Sequence, residues 1–172
     1  MQTRHFMRKK GFDYGVGVFH VTICTKDRMH LFGAVENGVM ILNKMGRMID
    51  QQWRDLPKRF PGIELDEFVI MPNHLHGIMI VGAGLDPAPS ETESGVKQAG
   101  ARPAPTVSSV IGAFKSITVF ECRKSGFKMQ NFTIWQRSFY DQIIDNLVSL
   151  DRIREYIQKN PVNWAKDPMF IP

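Results

Sequence analysis

His74 and His76 flank a single leucine inside an apolar run that spans residues 68–81. Side chains alternate across a β-strand, so two histidines two positions apart emerge on the same side while Leu75 faces the opposite way, into the core. Imidazoles so placed can close on one divalent ion. A second pair lies near the C-terminus, where Tyr156 and Asn160 are four apart in a segment of helical periodicity and therefore share a face. The tyrosine brings a latent nucleophile, and the asparagine brings an amide oxygen, a weak metal ligand. Together the pairs suggest metal-assisted cleavage of a DNA strand. Separately, each is ordinary: a His-x-His is more often two partly exposed strand residues, a helical tyrosine usually packs, and an Asn before Pro161 usually marks a helix stop.

The elements that must position these groups are legible in outline. Residues 15–25 read as a central strand with Val16, Val18, His20, Thr22 and Cys24 on one face and Phe19, Val21 and Ile23 on the other. His20 is read there as a satisfied core or sheet-face histidine rather than a ligand, with nearness to the histidine pair left open. Asn37-Gly38 signals a type I′ turn in a short hairpin arm over residues 35–41. Residues 42–56 carry Met45, Met48, Ile49, Trp53 and Leu56 at helical spacing, with Asn43 as a cap and Pro57 as a stop. Residues 63–81 hold a strand or strand pair, in which Pro72 predicts a bulge or an edge just before the histidines.

Residues 82–106 are rich in Gly, Ala, Pro, Ser and Glu and lack an apolar period; they are expected to form a mobile surface insertion rather than a domain boundary. A helix follows from Ser108 or Ser109, then an aromatic strand over residues 132–144. A last helix is capped by Asn146, lined by Leu147, Leu150, Ile153 and Ile157, and ended by Pro161. This alternation of strand and helix predicts a single α+β domain over residues 1–172, an antiparallel sheet covered by helices.

The chain has 172 residues and a net charge of +5, which favours an anionic partner. Its cations cluster as Arg4, Arg8, Lys9 and Lys10; as Lys115, Arg123, Lys124 and Lys128; and as Arg152, Arg154, Lys159 and Lys166. Any one cluster is most simply a solvated surface, but three of them among aromatic residues favour nucleic acid. Trp135, Phe139 and Tyr140 are candidates to stack on unpaired bases, with core packing expected for at least one. Cys24 and Cys122 have no metal-ligand spacing, which excludes a cysteine-rich zinc site, and two lone cysteines fit a reducing compartment. The start lacks a signal peptide pattern and no run suits a membrane span, so a soluble cytoplasmic chain is expected.

Several segments together resemble one family. FVIMPNHLHGIMIV (residues 68–81) resembles the HUH motif of single-tyrosine transposases, and RIREYIQKNPVNW (residues 152–164) resembles their tyrosine helix. VTICTKDRMHLFG, IGAFKSITVFECRK and WQRSFYDQII are also similar to this family, and the REYI-x-x-NP ending points to its REP-associated tyrosine transposase branch.

The resemblance implies a ferredoxin-like, RNA-recognition-like antiparallel sheet with helices packed on one face. It implies Tyr156 as the catalytic nucleophile and His74, His76 and Asn160 as ligands of magnesium or manganese. The substrate implied is single-stranded DNA beside hairpin (REP-like) elements, cleaved and rejoined through a 5′-phosphotyrosine link. DNA contacts are assigned on charge and aromaticity to Arg4, Arg8, Lys9, Lys10, Lys115, Arg123, Lys124, Tyr140 and Arg152. A nucleoid-associated location follows, with a homodimer or a monomer both open, since relatives differ in whether the tyrosine helix is exchanged between subunits. Two other readings compete: a catalytically silent hairpin-binding protein, which would need none of His74, His76, Tyr156 and Asn160, and an RNA-binding module, which would need exposed aromatics at the sheet centre.

Overall fold

The computed structural model describes residues 16–82, 104–127 and 133–171. Arg4, Arg8, Lys9 and Lys10, and nearly all of the expected insertion, lie outside these residues. Four strands form one antiparallel sheet in the order β4-β5-β1-β6: β1 (Gly17–Cys24), β4 (Ile63–Met71), β5 (His74–Val81) and β6 (Tyr140–Ile144). A separate hairpin pairs β2 (Gly33–Glu36) with β3 (Val39–Leu42). Its turn is the expected type: both Asn37 and Gly38 have positive φ, 51° and 77°.

Alternation along β1 and β5 creates two unlike faces. Phe19, Val21, Ile23, Leu75 and Met79 join the main core, where they meet α1 (Lys44–Arg54) and α3 (Val107–Lys124). There Trp53 packs edge-on against Phe114, with ring centroids 5.2 Å apart. Gly77 belongs to this arrangement, because a Cβ at that position would stand 2.6 Å from the Trp53 ring. The opposite face carries Val18, His20, Thr22, His74, His76 and Ile78, with Thr22 paired to His76 and His20 to Ile78. A smaller cluster of Ile78, Ile144 and Ile157 seats α4 (Leu147–Lys159) on that side. The expected helices on one face are therefore α1 and α3, and α4 crosses the other.

The helix starts follow their capping residues. Asn43 accepts a hydrogen bond from the Gly46 amide at 2.9 Å, Thr106 and Ser109 form a reciprocal capping box, and Asn146 accepts from the Ser149 amide at 2.8 Å. α1 thus starts after the cap and not at Leu42, which ends β3. Pro57 does not end helical structure either; it sits in the first turn of α2 (Leu56–Arg59), where its missing N–H costs nothing.

Three further expectations are corrected. Pro72 lies in no bulge or edge: with Asn73 it forms the turn between β4 and β5, whose ends pair as Met71 with His74. The bulge falls earlier, where Asp66 and Glu67 lie between the pairs Leu65–Met79 and Phe68–Gly77. Of the aromatic segment, Tyr140–Ile144 forms a strand, preceded by an isolated Thr25–Trp135 bridge. Residues 136–138 instead wrap the Lys115 ammonium, which donates to all three of their carbonyls. Trp135 takes the core packing expected for at least one of the aromatic candidates, and its indole N–H donates to the Thr118 hydroxyl at 2.8 Å. Finally, Leu147 is not part of the core stripe and stands 76% exposed.

Candidate active site

The β4–β5 turn places His74 and His76 on the face that α4 crosses, with ring centroids 4.5 Å apart. Both are buried. Asn73 orients the first ring. Its amide nitrogen donates to the carbonyls of Arg28 and Met169, at 3.2 and 2.9 Å, so its oxygen is the atom that faces His74 Nδ1 at 2.8 Å. The hydrogen in that contact must come from Nδ1, which leaves the His74 Nε2 lone pair free. Nε2 is buried and has no hydrogen-bond partner. Burial, reinforced by the neighbouring His76, lowers the His74 pKa to about 3, so this ring is a neutral ligand.

The second ring is held from both ends: His76 Nδ1 lies 2.9 Å from the Thr22 hydroxyl, and Nε2 lies 3.1 Å from the Tyr156 hydroxyl. Tyr156 also donates to Asp167 Oδ2 at 3.1 Å. A phenol has one hydrogen, and here the carboxylate takes it. The His76 contact is then made by an Nε2 hydrogen pointing at the phenol oxygen.

Asp167 completes the cluster. It follows the 3₁₀ turn Trp164–Lys166 and is buried. Its Oδ2 also accepts from Asn160 Nδ2 at 2.7 Å, and its Oδ1 accepts from the Met169 amide at 2.6 Å. Burial opposes its ionisation, but the His76 ring at 3.9 Å and these hydrogen bonds outweigh that, and the carboxyl is held well below the usual carboxylate range. The same surroundings act in reverse on Tyr156, whose pKa is raised by burial and then by the Asp167 charge.

The donor set fits a divalent cation. One ligand atom each from His74, His76 and Asp167 lie within 4.8 Å of one another, the one such group among the described residues. Asn160 Oδ1 is buried beside them without a hydrogen-bond partner, as is His74 Nε2. Two imidazoles, a carboxylate and an amide oxygen suit ions such as manganese and magnesium.

The fold therefore brings together the four residues singled out in the sequence, His74, His76, Tyr156 and Asn160, across 80 residues between His76 and Tyr156. Asn160 keeps helical angles (φ −57°, ψ −44°) despite the proline that follows, so its amide stays on the Tyr156 side of α4. Asp167 was not singled out from the sequence; it lies in an aperiodic tail, and the available hint was an acid only 11 residues after Tyr156. His20, expected to be satisfied, is buried 5.3 Å from the His76 ring and 6.2 Å from the Tyr156 ring, with Nε2 unpartnered. Burial lowers its pKa to about 4.

The residues proposed for DNA contact are more scattered. Tyr140 borders the site, 6.5 Å from His20, and Arg152 is exposed on α4. Arg123 and Lys124 are exposed in the last turn of α3, the helix that covers the far face. Lys115 is engaged by the carbonyls of residues 136–138, and burial lowers its pKa to about 8. No helix among the described residues is long and apolar enough to cross a membrane.

No family model matches the chain. An uncharacterized protein of Haemophilus influenzae is 36% identical over 178 residues, which cover 98% of this chain and 93% of that protein. Among solved structures, a REP-associated tyrosine transposase bound to a REP hairpin superposes with a TM-score of 0.59 at 19% identity, covering 92% of this chain and 74% of that one. A presumed transposase of Deinococcus radiodurans R1 superposes with a TM-score of 0.50 at 16% identity, over 89% of this chain and 96% of the other. The fold is the one these transposases share, in agreement with the resemblance carried by the HUH and tyrosine motifs.

Proposed function

We propose, for a chain that belongs to one family with the Haemophilus influenzae protein and has the fold of a REP-associated tyrosine transposase, that it is a DNA transposase or strand transferase with Tyr156 as its nucleophile. The observation that carries this reading is the Tyr156 hydroxyl, 3.1 Å from both His76 Nε2 and Asp167 Oδ2. A structural tyrosine has no need of a buried imidazole and a buried carboxylate on its oxygen.

His74 through Nε2, His76, Asp167 and Asn160 through its free oxygen would hold the metal, magnesium or manganese. When bound, such an ion supplies positive charge that polarises a non-bridging phosphate oxygen and eases ionisation of the phenol. Tyr156 then attacks phosphorus: its proton passes to water, a new O–P bond forms, the P–O3′ bond breaks, and the 3′-oxygen leaves as a hydroxyl after taking a proton back from solvent. The DNA stays joined to Tyr156 as a 5′-phosphotyrosine. A second 3′-hydroxyl reverses these bond changes and joins new strands, so neither hydrolysis nor ATP is needed.

Asp167 orients the phenol by accepting its hydrogen bond, but its low proton affinity makes it a poor store for that proton. The raised Tyr156 pKa has the same meaning: this arrangement holds the nucleophile neutral until positive charge enters the site. To serve as a ligand through Nε2, His76 would take the other tautomer, with its Nδ1 hydrogen donated to the Thr22 hydroxyl, and would no longer hydrogen-bond Tyr156.

The substrate we infer is single-stranded DNA flanking a hairpin, with Tyr140 and Arg152 as the DNA contacts nearest the site. The chain's own Tyr156 reaches its own histidines, which supports a site built within one subunit. This reading takes residues 1–172 as one domain with residues 82–106 as an insertion.

The test is incubation with hairpin-flanked single-stranded DNA and manganese, followed by a denaturing gel. A protein–DNA adduct is expected from the wild type and none from Tyr156→Phe. An adduct of equal yield from that variant would reject the nucleophile, and hairpin binding with no adduct in either protein would select the silent binding protein.

A further inference from the structure

The tyrosine helix sits on the sheet with little apolar support. Ile157 is its one buried residue among the hydrophobics; Leu150 and Ile153 are partly buried, and Leu147 and Val148 are exposed. Yet the proposed reaction needs a side chain of this helix placed to within a fraction of an ångström of two rings on the sheet. Something besides apolar packing has to fix the helix along and around its axis.

Arg154 lies two residues before Tyr156, at a different angle on the same helix turn. Its guanidinium grips Asp66 with two prongs: Nε lies 3.1 Å from Oδ1, and Nη2 donates to Oδ2. Its third nitrogen, Nη1, donates to Asp151 Oδ1 at 3.1 Å, one turn back on α4, so the fork is braced from its own helix. Asp66 sits in the bulge of β4 and its side chain is 16% exposed. The Glu67 amide donates to Asp66 Oδ1 at 2.6 Å, which holds the carboxylate from behind. The bulge places two residues, Asp66 and Glu67, against one partner, re-aiming the strand at this point. A planar fork on a planar carboxylate fixes distance, direction and plane at once, where a lysine would fix distance alone.

We infer that Asp66 and Arg154 form a positioning clamp that sets where the tyrosine helix stands on the sheet, and so where the Tyr156 oxygen meets His76. The Asp66 carboxyl is held below its usual range, first by its hydrogen bonds from Arg154, so the clamp is charged at neutral pH. The pair touches no substrate. Its effect on the reaction passes through the helix, and this inference rests on the reading of Tyr156 as the nucleophile.

Two variants separate its parts. Asp66→Asn keeps shape and removes the charge; Arg154→Lys keeps the charge and removes the fork. Each is compared with the wild type for amide hydrogen exchange in the metal-free protein, for hairpin affinity by fluorescence anisotropy, and for the rate of adduct formation at saturating hairpin. The expected result is faster exchange within residues 147–159 with β1 and β5 unchanged, hairpin affinity within about twofold, and adduct formation slowed roughly tenfold or more. Unchanged exchange in α4, exchange raised equally across the sheet, or a rate that falls only as far as hairpin affinity would each overturn the clamp. If the wild type forms no Tyr156-dependent adduct, the nucleophile assignment fails while the exchange measurement still decides whether the pair fixes the helix.

Discussion

The two faces of the sheet are built for different tasks from the same strands. Along β5, Leu75 and Met79 point into a core filled by Trp53, Phe114 and Ile111, while His74 and His76 point into a pocket of polar groups beside a small cluster of isoleucines. The first face buries aromatic and aliphatic side chains from two helices, each worth a few kcal/mol. The second buries three imidazoles, a hydroxyl and, from beyond α4, a carboxylate and an amide, with two imidazole nitrogens and the amide oxygen lacking partners. Burying such groups is unfavourable unless they are satisfied. A strand of period two lets one side carry the stability that the other side consumes.

The sharpest separation comes from Tyr156→Phe. Loss of the adduct should be complete, a fall of roughly 10³-fold or more, because no other group replaces the oxygen. The melting temperature should fall only modestly, since loss of the hydroxyl's bonds to His76 and Asp167 costs about 1–3 kcal/mol. A large drop in melting temperature would show that the thin face supports the fold after all.

On the other side, Phe114→Ala should cost about 3–5 kcal/mol of unfolding free energy, against less than about 2 for Leu150→Ala under α4. Urea denaturation of the two variants measures this, and equal losses would erase the distinction between the faces.

Acid should attack the site face first. In chelator, His20 and His74 stay neutral when folded, with pKa values of about 4 and about 3, while the unfolded chain protonates both near 6.5. Unfolding therefore takes up protons below pH 6.5, and stability falls by about 1.4 kcal/mol per pH unit for each group until the folded values are reached. Asp167 acts lower: its folded pKa is depressed, so its contribution is present above the unfolded carboxyl value near 4 and is lost only as pH falls below it. Urea midpoints between pH 7 and 5 should show the slope, and His20→Gln should remove about half of it. A slope unaltered in that variant would sink this assignment.

The smallest expected effect is Thr118→Val, which leaves the Trp135 indole N–H without its acceptor in the main core and should cost about 1–3 kcal/mol by thermal or urea denaturation. No change would mean that another acceptor takes over.

What the sequence revealed tracks how local the signal is. The histidine pair, the Tyr156–Asn160 face and the two capping asparagines, Asn43 and Asn146, sit in or beside periodic segments, where spacing alone fixes the face. Thr106 was read as the end of the insertion, with the helix starting one or two residues too late; its reciprocal bond with Ser109 sets the start. Asp167 was illegible because an aperiodic tail has no face to read; its bonds to Tyr156 and Asn160 bring it to α4. Residues 133–139 misled because their aromatic content mimics a strand, whereas a single ammonium from α3 gathers the carbonyls of residues 136–138 into a loop. The bulge was foreseen near Pro72 because proline breaks ladders, but the chain uses that proline to turn and places its bulge under Arg154.

Gly77 stands next to His76 with its α-carbon facing the Trp53 ring, which leaves no room for even a methyl group. The indole is in effect a shim beneath the strand that holds the reagent. Thickening it by one carbon, as in Gly77→Ala, would have to lift β5 or push the indole aside, so the height of the imidazole above the sheet is set from the face opposite the candidate site.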